Sequence, residues 1–383
     1  MELPATSITV RTSRLVSIDA LRGFSMFWIV GGDGAIWALA EMLRGKGAAL
    51  DGIGAFLSTQ MTHVAWEGFR FYDFIFPLFI FVTGVSIVLS LPRLVEREGK
   101  QAAHVRVLRR TLLLYGLGII YYGGVGQHWA DIRVLGVLQR IALFYGIASL
   151  LLLNLNVRGL VAVCMALLVG YWALMTFVPV PGIGSGSFAP DANLANWIDA
   201  HYLPGRLWDK TRDPEGLLST LPAIATCLIG VLSGILLRRP DISASQKSAW
   251  LIGGGIVMTA AGYLWALQFP LIKSIWSPSF VLATGGMRAI LLGIFHQVID
   301  VWGYKRWTPV FVWIGANAIT LYLLNALMGF DVPAKRIAGG EFGARLDALL
   351  LPGIGALLVN LVALGLVIAL AGYLYRRKIF LRV

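Results

Sequence analysis

Hydrophobic positions run in blocks of about twenty residues, separated by short polar connections. At about 1.5 Å per helical residue, a block of that length matches the ~30 Å hydrocarbon core of a bilayer. The pattern predicts about ten membrane-spanning helices, near 16–40, 71–91, 107–123, 134–153, 158–179, 216–237, 248–269, 278–299, 308–328 and 354–375. The chain therefore reads as all-α, a single polytopic membrane helix bundle over 16–375 between termini of 1–15 and 376–383. The first block is interrupted by GGDG and no small-residue cleavage site follows it, so it reads as a span and not as a signal peptide. Three connections on one side are long, 41–70, 180–213 and 329–350, whereas those opposite are short apart from 92–110. Long loops in a compact bundle are usually functional. The 180–213 loop opens with PVPGIGSGSFAPD, too rich in Pro and Gly for helix. It continues ANLANWIDAHY, a short interfacial helix with Trp197, Tyr202 and Trp208 suited to the headgroup layer. EFGARLDALL at 341–350 reads as a second short amphipathic helix.

Composition supports this picture: 57% of residues are apolar and 14% are charged, which excludes an ordinary soluble domain. The net charge is +12, and its distribution matters more than its sum. With the N-terminus inside, the inner segments carry 18 Lys/Arg in about 65 residues and the outer segments 11 in about 100. The positive-inside rule then places both termini inside, which an even span count requires. This charge faces anionic lipid headgroups and calls for no nucleic acid. Cys164 and Cys227 fall in separate spans and fit neither a disulfide framework nor a zinc site.

Charges inside spans mark candidate chemistry, because each costs about 2.5–3.5 kcal/mol at a helix centre. Asp19 and Arg22, in RLVSIDALRG, stand at i, i+3 and can neutralise each other. Gln139 and Arg140 lie within the fourth predicted span and Arg288 within the eighth. Asp33 is flanked by glycines near the outer end of the first. In HVAWEGFRFYDFIFP, a helix would put His63, Glu67, Arg70 and Asp73 on one face. A histidine with a carboxylate at i+4 is an oriented base. Trp66 and Asp73 in the same run are candidate substrate contacts. No second His or Cys stands at ligand spacing, so no metal is expected. Pro77 should kink the second span. DPEG places Asp213 and Glu215 where the sixth span begins, either as caps of that helix or as the recognition site for a cationic group such as an amino sugar. Arg109 and Arg110, in the basic 92–110 segment, could attract a phosphorylated ligand.

Several of these segments together resemble the heparan-α-glucosaminide N-acetyltransferase family, within a broader set of transmembrane acyltransferases. They are SIDALRG at 17–23, the stretch from His63 through FVTGVSI, RVLGVLQR at 133–140 and DPEGLLSTLPAIATCLIGVLSG at 213–234. WSPSFVLATGG at 276–286 and PVFVWIGANAITLY at 309–322 add weaker matches in the same order. The resemblance implies acetyl transfer from cytosolic acetyl-CoA to a glucosamine amine across the membrane. It also implies that His63 is catalytic and that Asp33 stands near a family asparagine. On this reading Arg22, Gln139, Arg140, Arg109 and Arg110 are candidates to bind the CoA moiety. Asp213, Glu215, Asp73 and Trp66 are candidates for the sugar, with Asp33 and Glu67 beside His63. The short loops suit a bacterial inner membrane, and bundles of this kind often form homodimers. Two other readings stay open, an amino-sugar transporter and an O-acyltransferase acting on a cell-envelope glycan.

Overall fold

The computed structural model describes residues 15–126 and 128–381. Apart from Leu15, the predicted 1–15 terminus lies outside them. The first apolar block forms α1 (Val16–Phe27) and α2 (Asp33–Leu43), joined by a π-helical turn at Trp28–Gly32. Gly31 takes φ 140° in that turn, a conformation that side chains rarely adopt. The sequence interruption at GGDG is thus a real break in the span. Next come α3 (Ala48–Gln60), a non-helical segment, and α4 (Phe71–Tyr121). The chain continues through α5 (Val137–Asn154), α6 (Val157–Phe177), α7 (Leu194–Tyr202), α8 (Thr220–Arg238) and α9 (Ala244–Ala266). α10 (Pro278–Phe295) runs into a π-helical turn at His296–Val301. α11 (Pro309–Ala316) and α12 (Ala318–Met328) meet at a 76° bend. α13 (Asp331–Ala338), α14 (Gly340–Leu349) and α15 (Ile354–Arg376) complete the described chain. The short helices expected after 192 and at 341–350 are α7 and α14.

Among the described residues, eight helical runs are long and apolar enough to cross a membrane, or nine if α11 and α12 form one bent span. One of these is α4, which at 51 residues would be about 75 Å long, more than twice the hydrocarbon thickness. Gly99 breaks it with φ 86° and ψ 165°. The halves lie side by side, since Thr83, Ser86 and Ser90 line the same cavity as Arg110 and Leu114. Read as two crossings, α4 brings the total to the ten that hydropathy predicts. The 92–110 connection is correspondingly helical on both sides of Gly99, and not a loop. Glu98 ties the reversal by bonding Arg97 at 2.5 Å and Arg106 at 2.9 Å. Backbone dihedrals stay helical at Pro77, so the break falls at the glycine and not at the proline.

The bundle is built around α4, α8 and α10. In each of these the most apolar stretch is 72% buried, against 17% in α9 and α15. Close approach is what allows this packing. A Cβ on Gly84 would lie 2.1 Å from the Cys227 carbonyl oxygen, and one on Gly230 would lie 2.0 Å from that of Phe81. Small residues at such crossings let backbones touch where lipid provides no hydrophobic drive. Cys164 and Cys227 are both free and buried in this packing. A separate apolar cluster, including Tyr171, Leu194, Phe269 and Ile272, joins the 180–203 and 267–277 segments at one end of the bundle.

Candidate functional site

The segment between α3 and α4 is not helical, so His63 and Glu67 do not share a helix face. The carboxylate beside His63 is Asp73, with Oδ1 2.8 Å from Nδ1. Asp73 is buried in the first turn of α4. Its Oδ2 also accepts the backbone N–H of Val64 at 3.2 Å and of Arg70 at 3.1 Å. Arg70 Nη1 donates to Thr62 Oγ1 at 2.8 Å and to the His63 carbonyl at 3.2 Å. The segment is therefore wound around one carboxylate. An ionised carboxylate only accepts, so Nδ1 carries the proton and Nε2 is left as the basic nitrogen. Glu67 is exposed and bridges by its backbone to Ile272.

That bridge, with Gly68 N–H donating to the Leu271 carbonyl at 2.9 Å, stitches the His63 segment to the turn before α10. The turn presents Lys273, whose Nζ lies 2.9 Å from His63 Nδ1, 3.3 Å from Nε2 and 3.4 Å from Asp73 Oδ1. Burial holds the Lys273 pKa below the usual lysine range despite the nearby carboxylates. Trp276 in the same turn has φ 55°, an uncommon value for a bulky residue. It is pinned there by Nε1–H donation to Thr226 Oγ1 at 3.0 Å.

Facing this group is the segment ahead of α8. Arg133 donates to Asp213 through Nε at 3.1 Å and Nη2 at 2.7 Å, and to Glu215 through Nη2 at 2.7 Å. Its guanidinium is flanked by the rings of Tyr122 at 4.6 Å and Trp208 at 4.7 Å. The Asp213 and Glu215 carboxylates hold the Arg133 pKa above its ordinary value against the cost of burial. Asp213 also accepts the backbone N–H of Trp208 at 3.0 Å and of Glu215 at 2.9 Å, so its oxygens are committed. Arg140 donates to the carbonyls of Pro214 at 2.9 Å and Gly216 at 3.2 Å and to Ser219, with Trp276 at 5.0 Å. Gln139 donates to the Arg133 carbonyl at 3.1 Å. Both residues are fully buried; Arg140 holds the 213–219 segment and Gln139 the backbone at Arg133. α5 begins at Val137, so Gln139 and Arg140 sit in its first turn, at the His63 end, and not deep in a span. Asp199 of α7 supports the same segment by accepting the Leu217 N–H at 2.8 Å. Burial raises its pKa to about 7.

These walls enclose a cavity of about 580 Å³. His63, Tyr72, Asp73, Arg133, Asp209, Glu215, Lys273 and Ser274 supply its polar lining, and Trp208, Trp276, Tyr121, Tyr122 and Tyr322 its aromatic lining. Ile29, Phe76, Val137 and Tyr322 are shared with a narrow apolar cavity of about 20 Å³. Phe79, Ile141 and Ile319 in turn connect that neck to a third cavity of about 140 Å³. The third is polar, lined by Arg22, Thr83, Ser86, Ser90, Arg110 and Asn317 among others. The helical run from Asp73 to Ser90 spans about 25 Å, so the three cavities reach through most of a bilayer's thickness.

The remaining predicted site residues fall as follows. Arg22 and Arg110 line the third cavity. Arg22 bonds Asp19 at 2.5 Å. Arg110 lies over the Tyr145 ring at 4.5 Å, and its buried Nε has no hydrogen-bond partner among the described residues. Arg109, one position earlier, is exposed on the bundle surface. Asp33 is one side chain removed from His63: it accepts from Tyr72 Oη at 2.8 Å, and the Tyr72 ring lies 4.9 Å from the imidazole. Trp66 packs in the apolar loop cluster, donating to the Phe188 carbonyl at 2.8 Å, and does not line the cavity. Arg288 is buried against Thr284 and the Phe74 ring, away from these cavities. Lys273, Arg133 and Tyr72 went unselected in the sequence. Lys273 is a lone charge in a short outer connection, a pattern that most solvated lysines share.

Residues 14–260 match the family model described as heparan-alpha-glucosaminide N-acetyltransferase, catalytic. The human heparan-alpha-glucosaminide N-acetyltransferase is 25% identical over 442 residues, covering 99% of this chain and 62% of that protein. The mouse protein of the same name is 26% identical over 377 residues, covering 84% of this chain and 56% of its own. The chain thus spans less than two thirds of the length of these relatives. The matched region runs from α1 into α9 and contains His63, Asp73, Arg133, Glu215 and Arg110, and on that match this integral membrane protein belongs to the heparan-α-glucosaminide N-acetyltransferase catalytic family.

Proposed function

We propose that the chain transfers an acetyl group from acetyl-CoA to the amine of a glucosamine-like sugar, with the donor entering at the Arg110 end and the acceptor at the His63 end. The observation that carries the reading is the series of three cavities with shared walls, bearing charged groups at both ends and none at the apolar neck. A pantetheine arm is long, thin and largely uncharged, and so suits such a neck. Arg22 and Arg110 would hold the donor's phosphates, as guanidinium groups do. Charge distribution supports a cytosolic Arg110 end, and hence transfer across the membrane, with a bacterial inner membrane as the setting.

At the His63 end, Asp73 orients the ring and Nε2 takes the proton. The amine nitrogen attacks the thioester carbon while its proton passes to Nε2. The C–S bond then breaks, and the thiolate recovers that proton from the imidazolium. Glu215 would attract the acceptor while it is still an ammonium, which releases one proton to solvent before the amine attacks, and the aromatic side chains offer faces for the sugar ring. An acetyl-His63 intermediate is the alternative route, and ping-pong kinetics would separate the two.

The test is radiolabelled acetyl-CoA offered to the reconstituted chain with glucosamine or N-acetylglucosamine. Label should enter glucosamine alone, because only that sugar offers a free amine, and His63→Ala should abolish it. Accumulation of unmodified sugar in proteoliposomes would instead make the chain a carrier. Label on N-acetylglucosamine would make it an O-acyltransferase.

A further inference from the structure

Two fixed cations line the His63 cavity among the described residues, Arg133 and Lys273. Arg133 is committed, with Nε and Nη2 bonded to two carboxylates and aromatic rings on both sides. Lys273 is not committed in this way. Its closest carboxylate oxygen is 3.4 Å away, beyond a good charge-assisted bond, while both His63 ring nitrogens lie within 3.3 Å. The turn that presents it is rigid: Ser277 N–H donates to the Ile272 carbonyl at 3.0 Å, Trp276 N–H to the Lys273 carbonyl at 2.9 Å, and the bridge to Glu67 fixes the turn against the His63 segment. Any thioester carbon within reach of an amine that His63 deprotonates therefore lies beside the Lys273 ammonium.

Resting on the acetyltransferase reading above, we propose that Lys273 is a catalytic residue. Its ammonium donates to the oxygen of the thioester carbonyl as that oxygen becomes an oxyanion. Negative charge builds on the oxygen as the C–N bond forms and returns to the carbonyl as the C–S bond breaks. Lys273 keeps its proton throughout, and His63 carries the proton that moves. A fixed donor at this point acts mainly in the transition state.

The experiment compares Lys273→Met and Lys273→Arg with the wild type and His63→Ala in the reconstituted full chain. It reads kcat and both KM values. Lys273→Met should lower kcat by about 100- to 1000-fold with KM changed less than about threefold, and Lys273→Arg should recover part of the loss. A Lys273→Met kcat within about threefold of wild type overturns the proposal, as does equal impairment of the Met and Arg variants. Should the Met variant not fold, Lys273→Gln takes its place under the same criteria. A wild-type chain that transfers no acetyl group overturns the underlying reading as well. An active wild type, an inactive His63→Ala and an active Lys273→Met reject the lysine role alone.

Discussion

His63 Nδ1 lies 2.8 Å from Asp73 Oδ1, and the same carboxylate accepts the backbone N–H groups of Val64 and Arg70. One buried group thus fixes both the ring and the segment that carries it. Asp73→Asn puts an amide where the acceptor stood and favours the wrong imidazole tautomer. It should cost about 100- to 10,000-fold in kcat, the upper figure being that of a mis-set histidine in a serine-protease triad. Glu67→Gln should leave kcat within about threefold, because Glu67 meets its neighbour only through backbone. Steady-state kinetics on the two variants separates the His63–Asp73 pairing seen in the structure from the His63–Glu67 pairing that helical spacing suggests.

Arg133 joins Asp213 and Glu215 across more than seventy residues of sequence. Arg133→Met would leave two buried carboxylates facing each other, a change that destabilises by about 3–5 kcal/mol. Unfolding followed by tryptophan fluorescence should show the loss. Glu215→Gln keeps an acceptor for Arg133 and should cost far less stability. Since Glu215 lines the cavity, that variant should raise KM for the amine about tenfold and leave KM for acetyl-CoA unchanged.

The spans were legible because lipid imposes a length and a polarity on every crossing, and hydropathy reads both. The GGDG interruption and the interfacial helix α7 were legible for the same local reasons. The site was legible only in part. His63, Asp73, Asp213 and Glu215 stood out as charges near span ends. Their pairing did not, because the 61–70 segment takes its shape from Asp73 and from the turn before α10, contacts that helical periodicity does not encode. Arg140 drew attention as a charge within a span, yet the start of α5 at Val137 puts it against the 213–219 backbone. Lys273 drew none, because its surroundings come from segments about two hundred residues away.

Asp199 gives a pH dependence of definite sign. Burial raises its pKa from 3.8 to about 7, so the folded chain holds a proton that the unfolded chain releases above about pH 4. The stability from this group is complete below pH 4, declines between pH 4 and 7, and is gone above. The difference amounts to as much as about 4 kcal/mol. Other carboxylates contribute with the opposite sign, so the comparison is with Asp199→Asn, which keeps an oxygen for the Leu217 N–H. Melting temperature in the variant minus that in the wild type should rise as pH goes from 4 to 7. A difference that is flat with pH would mean that Asp199 stays ionised in the fold.

The neck between the cavities is the point at which the transfer reading is most exposed. Ile141 lines both the neck and the Arg110 cavity, and the neck offers only about 20 Å³. Ile141→Trp fills that space with side chain and leaves Arg22 and Arg110 in place. The donor should still bind, within about tenfold by a CoA-binding assay, while acetyl transfer falls at least about 100-fold, because the thioester no longer reaches His63. Overpacking at such a site costs about 1–3 kcal/mol, so retained CoA binding also reports that the bundle is folded. Arg110→Ala should do the reverse. Its guanidinium would contact the donor alike in ground and transition states, so KM for acetyl-CoA should rise about tenfold or more with kcat little changed. Opposite signatures at two ends of one passage follow only if the donor threads it. An Ile141→Trp chain that transfers acetyl at the wild-type rate would show that the thioester reaches His63 by another way.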